Sequence, residues 1–440
     1  MQRRGVHTLT HPSELCRGSA RNGRPRSTWS SRWIGCRVGG VRTSCVVIGA
    51  GPAGLAVSQG LVRRGVDHVV LERDEVASTW RNQRWDSFRL NTSDWMNSML
   101  GPMEPGAYPG RDDVVKRLDA LADGLPIRTG TPVKQLVRSA EGFSLRTADA
   151  EVRADSVVVA SGLLNVPKTP PAAQWLPADV LSIHGADFRC ADQLPAGAVL
   201  VVGSGQSGVQ IAEDLITAGR RVLLSTCRVG RYNWNYRGKE TFRWLDDLGY
   251  WAQRPVELSD PALMRLTQPL VGSGGRTLSL TMLADLGVEL LGRLTGVVNG
   301  RAVFDESGAD NVAFGDQRWS ATCELIDAYI AAHGLDAARQ WDDEGGGKLR
   351  IEPVRSLHFA EGNVATVIWC TGLTGDLAYL DPTMRDNSGQ VRRHGSASEV
   401  PGLWFAGFPW LAQRRSGIFY GFPADAAQTI DQLTEHLFHR

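Results

Sequence analysis

A glycine-rich segment occurs twice in this chain, each time between an apolar run and an amphipathic stretch. The first copy reads GAGPAG at 49–54 and the second reads GSGQSG at 203–208. The match continues beyond the glycines, because the helix-ending Gly65 of the first copy corresponds to Gly219 of the second. A strand, a glycine turn, a helix and a second strand form the unit that binds the pyrophosphate of a dinucleotide. The sequence therefore predicts two dinucleotide-binding folds.

Each glycine of the turn has its own task. Gly49 allows the tight turn, Gly51 lets the backbone approach a pyrophosphate, and Gly54 allows close packing of helix on strand. The helix that follows directs its positive N-terminal end at the anion. The remaining candidates of the two turns are Pro52 and Ala53 in the first copy and Gly203, Ser204, Gly205, Gln206, Ser207 and Gly208 in the second.

The two copies differ where the coenzyme is distinguished. The second strand of the first copy closes on Glu72, followed by Arg73, whereas the second copy has Thr226 at that position and Arg228 two residues later. A carboxylate accepts hydrogen bonds from ribose hydroxyls and repels a 2′-phosphate, which an arginine binds. The first site thus suits FAD or NAD and the second suits NADPH. Other candidates for the phosphate are Arg231, Arg220 and Arg221, and a solvated basic surface is the alternative for each arginine.

Two further buried strands indicate how the domains join. Residues 157–162 and 367–372 each form an apolar run that ends in a small residue and a glycine, and a proline-rich stretch at 165–177 follows the first. We expect an α/β protein with two Rossmann-like domains, the NADPH domain inserted within the FAD domain. The expected boundaries are 44–166 and 361–440 for the FAD domain and 167–360 for the NADPH domain, with a helical insertion at about 255–342. The patterns at 278–291 and at 323–333 each predict an amphipathic helix, the second ended by Gly334.

Charge and cysteine content exclude several classes of protein. Residues 1–43 hold nine arginines and one glutamate, so the rest of the chain has a net charge of −7, which argues against a nucleic-acid or membrane partner. No secretory signal is evident in residues 1–43, which we interpret as a non-native extension or a disordered arm. The seven cysteines form no C-x-x-C pair and no zinc pattern, which fits a cytoplasmic protein. A homodimer is one assembly that the sequence leaves open.

From about residue 44 to the C-terminus, the chain resembles the flavin-containing monooxygenases, a group that includes the plant indole-pyruvate monooxygenases, bacterial relatives and Baeyer–Villiger enzymes. Besides the two glycine turns and Glu72, the resemblance rests on Trp80 with the arginine that follows it, on ASGLLNVPKTP at 160–170, on VGRYNWNYRGKETFRWLDDLG at 229–249, on CTG at 370–372 and on residues 402–412. It implies FAD on the first fold, reduction by NADPH, a flavin C4a-(hydro)peroxide formed with O2, and insertion of one oxygen atom into a small molecule.

Two positions bear on the chemistry that the resemblance implies. Asn91 matches the asparagine that the family places beside the flavin and nicotinamide, and a turn-forming asparagine is the alternative. The family's Phe-x-Gly-x-x-x-His motif would end at His184, but Ala178 and Val180 replace its Phe and Gly. His184 is therefore either a motif residue or a structural histidine, and Phe188 favours heteroatom oxidation or the indole-type branch over Baeyer–Villiger chemistry.

The tryptophan content suggests a substrate class. Seven of the fourteen tryptophans lie in segments expected near the cofactors, and they could line a pocket for an aromatic or apolar metabolite or simply fill the core. These are Trp80, Trp85, Trp95, Trp175, Trp234, Trp244 and Trp251. The competing function is an FAD-dependent NADPH oxidoreductase that passes electrons to a quinone or protein without inserting oxygen.

Overall fold

The computed structural model describes residues 41–439, apart from 261–263, 265–269, 271, 273, 340–348, 350 and 388. Within these residues the strands are β1 (Val41–Ile48), β2 (His68–Leu71), β3 (Ile127–Arg128), β4 (Gln135–Ser139), β5 (Gly142–Arg146), β6 (Glu151–Val159), β7 (Val166–Pro167), β8 (Leu181–His184), β9 (Ala198–Val202), β10 (Val222–Ser225), β11 (Asn235–Tyr236), β12 (Lys239–Glu240), β13 (Glu289–Leu291), β14 (Leu294–Val298), β15 (Arg301–Phe304), β16 (Ser356–His358), β17 (Val364–Trp369), β18 (Leu373–Thr374), β19 (Arg393–His394), β20 (Ala397–Ser398) and β21 (Leu403–Phe405).

The α-helices in the same residues are α1 (Pro52–Arg63), α2 (Ser78–Asn82), α3 (Arg111–Ala122), α4 (Gln206–Thr217), α5 (Thr241–Asp247), α6 (Leu280–Asp285), α7 (Gly308–His333) and α8 (Phe422–Phe438). Short 3-10 helices lie at Asp94–Leu100, Pro171–Trp175, Ala191–Gln193, Tyr250–Ala252, Pro255–Glu257 and Pro382–Met384. No helix in the described part of the chain is both long enough and apolar enough to cross a membrane.

The first sheet has nine strands, of which five form a parallel centre in the order β21-β6-β1-β2-β3. In that centre Val47 lies between Val158 and Val70, and all three side chains are fully buried. Such uninterrupted apolar strands are typical of parallel sheets covered on both faces. The antiparallel strands β4 and β5 continue from β6, and β19 and β20 continue from β21.

The second sheet repeats the centre of the first. Its five parallel strands have the order β8-β17-β9-β10-β13, so that β17, β9 and β10 correspond to β6, β1 and β2. Its strands come from residues 181–369, whereas those of the first sheet come from residues 41–159 and 393–405. This arrangement confirms the predicted α/β fold class, with one Rossmann-like fold inserted within the other.

Two strands bear on the predicted domain boundaries. The division into domains itself stays a prediction. Strand β1 begins at Val41 rather than at residue 44, and Thr43 is buried and pairs in register with Ala154. The rest of the predicted extension, residues 1–40, lies outside the described residues. Strand β17 belongs to the second sheet, as the counterpart of β6. The chain therefore returns to the first sheet after Trp369 and not at residue 361.

The region at 255–342 is less helical than predicted. It contains the strands β13, β14 and β15 as well as the helices α6 and α7. The stretch 278–291, interpreted as one amphipathic helix, forms only the short α6 before Gly287, whose φ of +99° ends the helix. Residues after this glycine then pair with β10 as β13. Helix α7 ends at Gly334 in the left-handed region, as predicted.

Candidate active site

The first glycine turn has one position at which a side chain would meet nothing. A Cβ at Gly49 (φ +105°) would lie 2.6 Å from the carbonyl oxygen of Ala160, and a Cβ at Gly54 would lie 1.9 Å from that of Gly49. Gly51 has an ordinary φ of −80°, and a Cβ there would meet no atom within 4 Å. The fold itself therefore requires Gly49 and Gly54, while Gly51 keeps space open in front of the N-terminus of α1.

A cavity of about 570 Å³ lies in front of this turn. Its volume falls in the range of cofactor and ligand sites in proteins. The predicted cofactor-binding residues that line it are Gly49, Gly51, Pro52, Ala53, Glu72, Arg73 and Trp80. The positive end of a 12-residue helix and an open approach along the backbone fit the pyrophosphate of a dinucleotide.

Glu72 is held rigidly at the edge of this cavity. Its Oε2 accepts a hydrogen bond from the backbone N–H of Ala50 (2.7 Å), and its Oε1 accepts one from the N–H of Asp74 (3.0 Å). Each carboxylate oxygen can accept more than one hydrogen bond, so Glu72 keeps acceptor capacity for a ribose hydroxyl. This geometry fits the role that the sequence suggests for Glu72.

Several residues of the cavity carried no clear signal in the sequence. They come from chain segments far from the first turn, and they include Arg84, Lys134, Asn165, Tyr379 and Phe422. Tyr379, for example, reaches Ser161 with its hydroxyl, at 2.8 Å from Oγ. Two sequence features had indicated this side of the cavity. They are the apolar run that ends in Ser161-Gly162 and the segment 402–412, on which the resemblance partly rests.

The second glycine turn repeats the geometry of the first. A Cβ at Gly203 (φ +106°) would lie 2.5 Å from the carbonyl oxygen of Cys370, and a Cβ at Gly208 would lie 1.8 Å from that of Gly203. Gly205 precedes α4 with a φ of −71°, as Gly51 precedes α1. Ser207 is exposed. The hydroxyl oxygen of Ser204 accepts a hydrogen bond from the N–H of Cys227, and the side-chain amide of Gln206 donates one to the carbonyl of Gly272.

At the ribose position of the second fold, Thr226 is buried and Arg228 is exposed. Thr226 is 1% exposed, donates to the carbonyl of Leu291 (2.6 Å) and accepts from Asn311 (3.0 Å). Arg228 is exposed, and its guanidinium carbon lies 4.5 Å from the ring centre of Phe314. Arg228 therefore presents a positive charge at the carboxyl end of β10, where a 2′-phosphate would be expected.

The three arginines considered as substitutes for Arg228 are engaged elsewhere. Arg220 and Arg221 precede β10, at the opposite end of the sheet. Arg220 donates to backbone carbonyls that include that of Gly197 (2.8 Å), and Arg221 pairs with Glu289 (2.6 Å). Arg231 is 4% exposed and pairs with Asp316 (2.7 Å). The structure thus corrects the hypothesis that any of the three could replace Arg228 at the phosphate.

Asn91 lies outside the lining of the large cavity. The residue is half-buried and follows Leu90 in the sequence, three residues before the 3-10 helix at Asp94–Leu100. Nearby in the sequence, the hydroxyl of Ser93 donates to Glu240 (2.9 Å). A turn-forming asparagine normally hydrogen-bonds the backbone nearby. Within the described residues the Asn91 amide forms no such bond, and its role stays a prediction.

His184 has a structural role in the second sheet. Its Nδ1 accepts the N–H of Ala186 (3.0 Å), so its Nε2 carries the proton and donates to the carbonyl of Gly372 (3.1 Å). Burial lowers the pKa of His184, which keeps the ring neutral. Both ring nitrogens are therefore satisfied within the fold, as the structural alternative requires. Phe188 is fully buried in the same region.

Of the seven tryptophans, only Trp80 lines the cavity. Trp85, Trp244 and Trp251 are buried in hydrophobic clusters, and Trp175 is 69% exposed. The indole N–H groups of the remaining two donate to polar partners, that of Trp95 to Glu240 and that of Trp234 to Tyr108. The other six lie outside the lining of this cavity, and the hypothesis of a tryptophan-lined substrate pocket stays a prediction.

Comparison with known proteins agrees with this architecture. The pattern of the pyridine nucleotide-disulphide oxidoreductase family matches residues 46–243. A CzcO-like oxidoreductase of Geobacillus kaustophilus is 27% identical over 89% of this chain and 98% of its own length. Indole-3-pyruvate monooxygenase YUCCA1 of rice is 31% identical over 52% of this chain and 59% of its own length.

A solved structure shows the same fold over almost the whole of both chains. The flavin-containing monooxygenase from Stenotrophomonas maltophilia superposes with a TM-score of 0.62 and 18% identity, over 90% of this chain and 99% of that one. At this level of identity, the likeness supports the fold.

Proposed function

We propose that this chain, which has the fold of the flavin monooxygenases, is an NADPH-dependent FAD monooxygenase that inserts one oxygen atom of O2 into a small molecule. In this proposal FAD binds to the first fold and NADPH to the second. The names of the similar proteins, a flavin-containing monooxygenase and an indole-3-pyruvate monooxygenase, support the reaction class.

The observation that carries the proposal is the contrast between two turns of equal shape. Both turns have the same backbone geometry, with corresponding close contacts at their first and third glycines. The first faces a large cavity edged by the carboxylate of Glu72, and the second ends near the exposed guanidinium of Arg228. A carboxylate suits an unphosphorylated ribose and an arginine suits a 2′-phosphate, which supports FAD at the first fold and NADPH at the second.

Bound FAD would supply the electrons and the ring position at which O2 is activated. The protein must then place its substrate beside the ring and exclude bulk water. We assign Asn91 to this task from the resemblance to the flavin-containing monooxygenases, since it lies outside the lining of the large cavity. Its neutral amide can donate a hydrogen bond without offering a proton that would expel hydrogen peroxide. The substrate in this reaction is a small apolar or aromatic metabolite.

Rapid mixing of the NADPH-reduced protein with O2 tests the reaction class. A monooxygenase should pass through a transient absorbance that differs from the spectra of both reduced and oxidised FAD. Direct return to the oxidised spectrum would contradict the proposal and favour an oxidoreductase that passes electrons to another acceptor. The seven cysteines form no C-x-x-C pair, which counts against a disulfide-reductase version of that alternative.

The Asn91→Asp variant tests the role of the amide. A negative charge beside the ring should increase the hydrogen peroxide formed per NADPH consumed, because the oxygenating species would break down before transfer. Asn299→Asp is a matched control, since Asn299 is exposed in the turn between β14 and β15. Equal peroxide yields in wild type and Asn91→Asp would remove Asn91 from the mechanism.

A further inference from the structure

Arg84 lines the large cavity and lies beside two aromatic rings that contact each other. Its guanidinium carbon lies 5.1 Å from the ring centre of Trp80 and 5.7 Å from that of Phe88. Stacking on aromatic faces orients a guanidinium and lowers the entropy that it would lose on binding a ligand. The side chain is therefore fixed in place at the cavity wall.

Arg84 differs from the neighbouring arginines in having no carboxylate partner among the described residues. Its Nη1 donates to the backbone carbonyl of Gln83 (2.8 Å). By contrast, Arg111 pairs with Asp86 (2.6 Å), and the buried Arg231 pairs with Asp316 (2.7 Å). Arg84 is thus a cation placed beside a cavity without a counter-charge from the described protein.

Arg84 is half-buried, and an anion in the cavity would stabilise this arrangement. Burial lowers the pKa of Arg84 to about 10, but the side chain remains charged at neutral pH. A buried charge is strongly destabilising when it is unpaired and is tolerated when an opposite charge and hydrogen bonds compensate it. A planar guanidinium is suited to phosphate oxygens and other planar anions.

The segment that carries Arg84 also contacts the first glycine turn. The backbone N–H of Ala77 donates to the carbonyl of Ala50 in that turn (3.2 Å), and α2 follows directly with Ser78 and Thr79 lining the cavity. Arg84 and the first glycine turn therefore line one cavity, and a ligand bound there faces both.

We propose that Arg84 is the counter-charge for an anionic group of bound FAD, an inference that rests on the assignment of FAD to this cavity. FAD offers two sources of such a charge, the pyrophosphate and the ring after reduction, when N1 loses its proton. Both would be recognised by the same guanidinium. They differ in whether the charge is present in the oxidised cofactor.

The experiment compares holoproteins with Met, Gln or Lys at position 84. Arg84→Met and Arg84→Gln remove the charge, and Arg84→Lys keeps it. Arg81→Met is the matched control, because Arg81 lies on the same segment but pairs with Asp119 and with Glu75. Two quantities are measured for each protein: the Kd of oxidised FAD, from its release on dilution, and the two-electron midpoint potential of the bound FAD.

If the pyrophosphate is the partner, Arg84→Met and Arg84→Gln raise the Kd of oxidised FAD at least tenfold. If the reduced ring is the partner, that Kd stays near the wild-type value and the potential falls by about 30 mV for each tenfold loss in affinity for reduced FAD. Either result supports the proposal, provided that Arg84→Lys retains most of the wild-type behaviour and Arg81→Met all of it.

An unchanged Kd together with an unchanged potential in Arg84→Met would overturn the proposal. So would failure of both charge-removing variants to fold in excess FAD, because Arg84 would then be a structural residue. The wild-type protein separates this inference from the proposed function. If wild type retains no FAD, the cofactor assignment fails; if it retains FAD and Arg84→Met matches it, only the inference about Arg84 fails.

Discussion

At the scale of single residues, one exposed charge should decide the choice of coenzyme. Arg228→Ala removes the guanidinium that faces the expected position of the 2′-phosphate. A charge-assisted contact to phosphate contributes about 1.5–3 kcal/mol, so we expect kcat/KM for NADPH to fall roughly 10- to 100-fold through a higher KM. NADH has no 2′-phosphate, and its kinetics should change little. Steady-state assays with both coenzymes measure the difference.

Arg228→Lys is the matched variant, since it keeps a positive charge but loses the planar fork, and it should retain part of the preference. Equal losses with NADPH and NADH in Arg228→Ala would mean that Arg228 serves the structure through its contact with Phe314. No loss with either coenzyme would place the phosphate elsewhere.

Another residue-scale prediction concerns a buried acid at the start of α8. Burial raises the pKa of Asp425 to about 6, although a hydrogen bond from Ser416 and the charges of Arg415 and Arg393 oppose this effect. The folded protein therefore holds a proton that the unfolded chain releases at lower pH. It follows that stability falls as the pH rises from about 4 to about 6, by about 3 kcal/mol for this group, and is level above that range.

Denaturant unfolding of the protein at several pH values measures this effect. Asp425→Asn should remove most of the decline and be more stable than wild type above pH 6. Asp431→Asn is the control, because Asp431 is an exposed carboxylate on the same helix. A pH profile of Asp425→Asn that follows wild type would show that Asp425 is not the group responsible.

At the scale of elements, the two strand-turn-helix units depend on the glycine that packs helix against strand. Gly54→Ala would place a Cβ 1.9 Å from the carbonyl oxygen of Gly49, a contact that only a shift of α1 could relieve. Overpacking of this kind typically costs about 1–3 kcal/mol, so we expect a lower Tm. Gly296→Ala is the control, since its Cβ would meet nothing within 4 Å. An unchanged Tm for Gly54→Ala would contradict the packing described for this unit.

The units built from local signals were predictable from the sequence. Strand β2 ends directly before Glu72, as predicted, and Gly65 and Gly334 end their helices in the left-handed region. Such elements are specified by neighbouring residues: an apolar run, a helical period and a glycine at the stop. The stretch 278–291 was not predictable in this way, because pairing with β10 converts its last residues into an edge strand.

At the scale of the whole molecule, sequence reasoning found the two folds but only part of the site. The internal repeat located both turns, and the order of the sheets agrees with the predicted insertion. The cavity, however, combines the first turn with Arg84, Tyr379 and Phe422, which come from distant parts of the chain. Contacts of that kind depend on how the strands are arranged in the sheet, and no local pattern marks them.

One paired measurement tests whether FAD binds to the first fold and NADPH to the second. Gly51→Ala adds a methyl group where the fold leaves space for a pyrophosphate, and Gly205→Ala adds one at the corresponding position of the second turn, where φ is also ordinary. Both variants are purified, and their FAD content and Kd for NADPH are measured beside Gly296→Ala. We expect Gly51→Ala to fold but to lack FAD, and Gly205→Ala to keep its FAD while binding NADPH more weakly. Full FAD content in Gly51→Ala, or loss of FAD in Gly205→Ala, would contradict the assignment of FAD to the first fold and NADPH to the second.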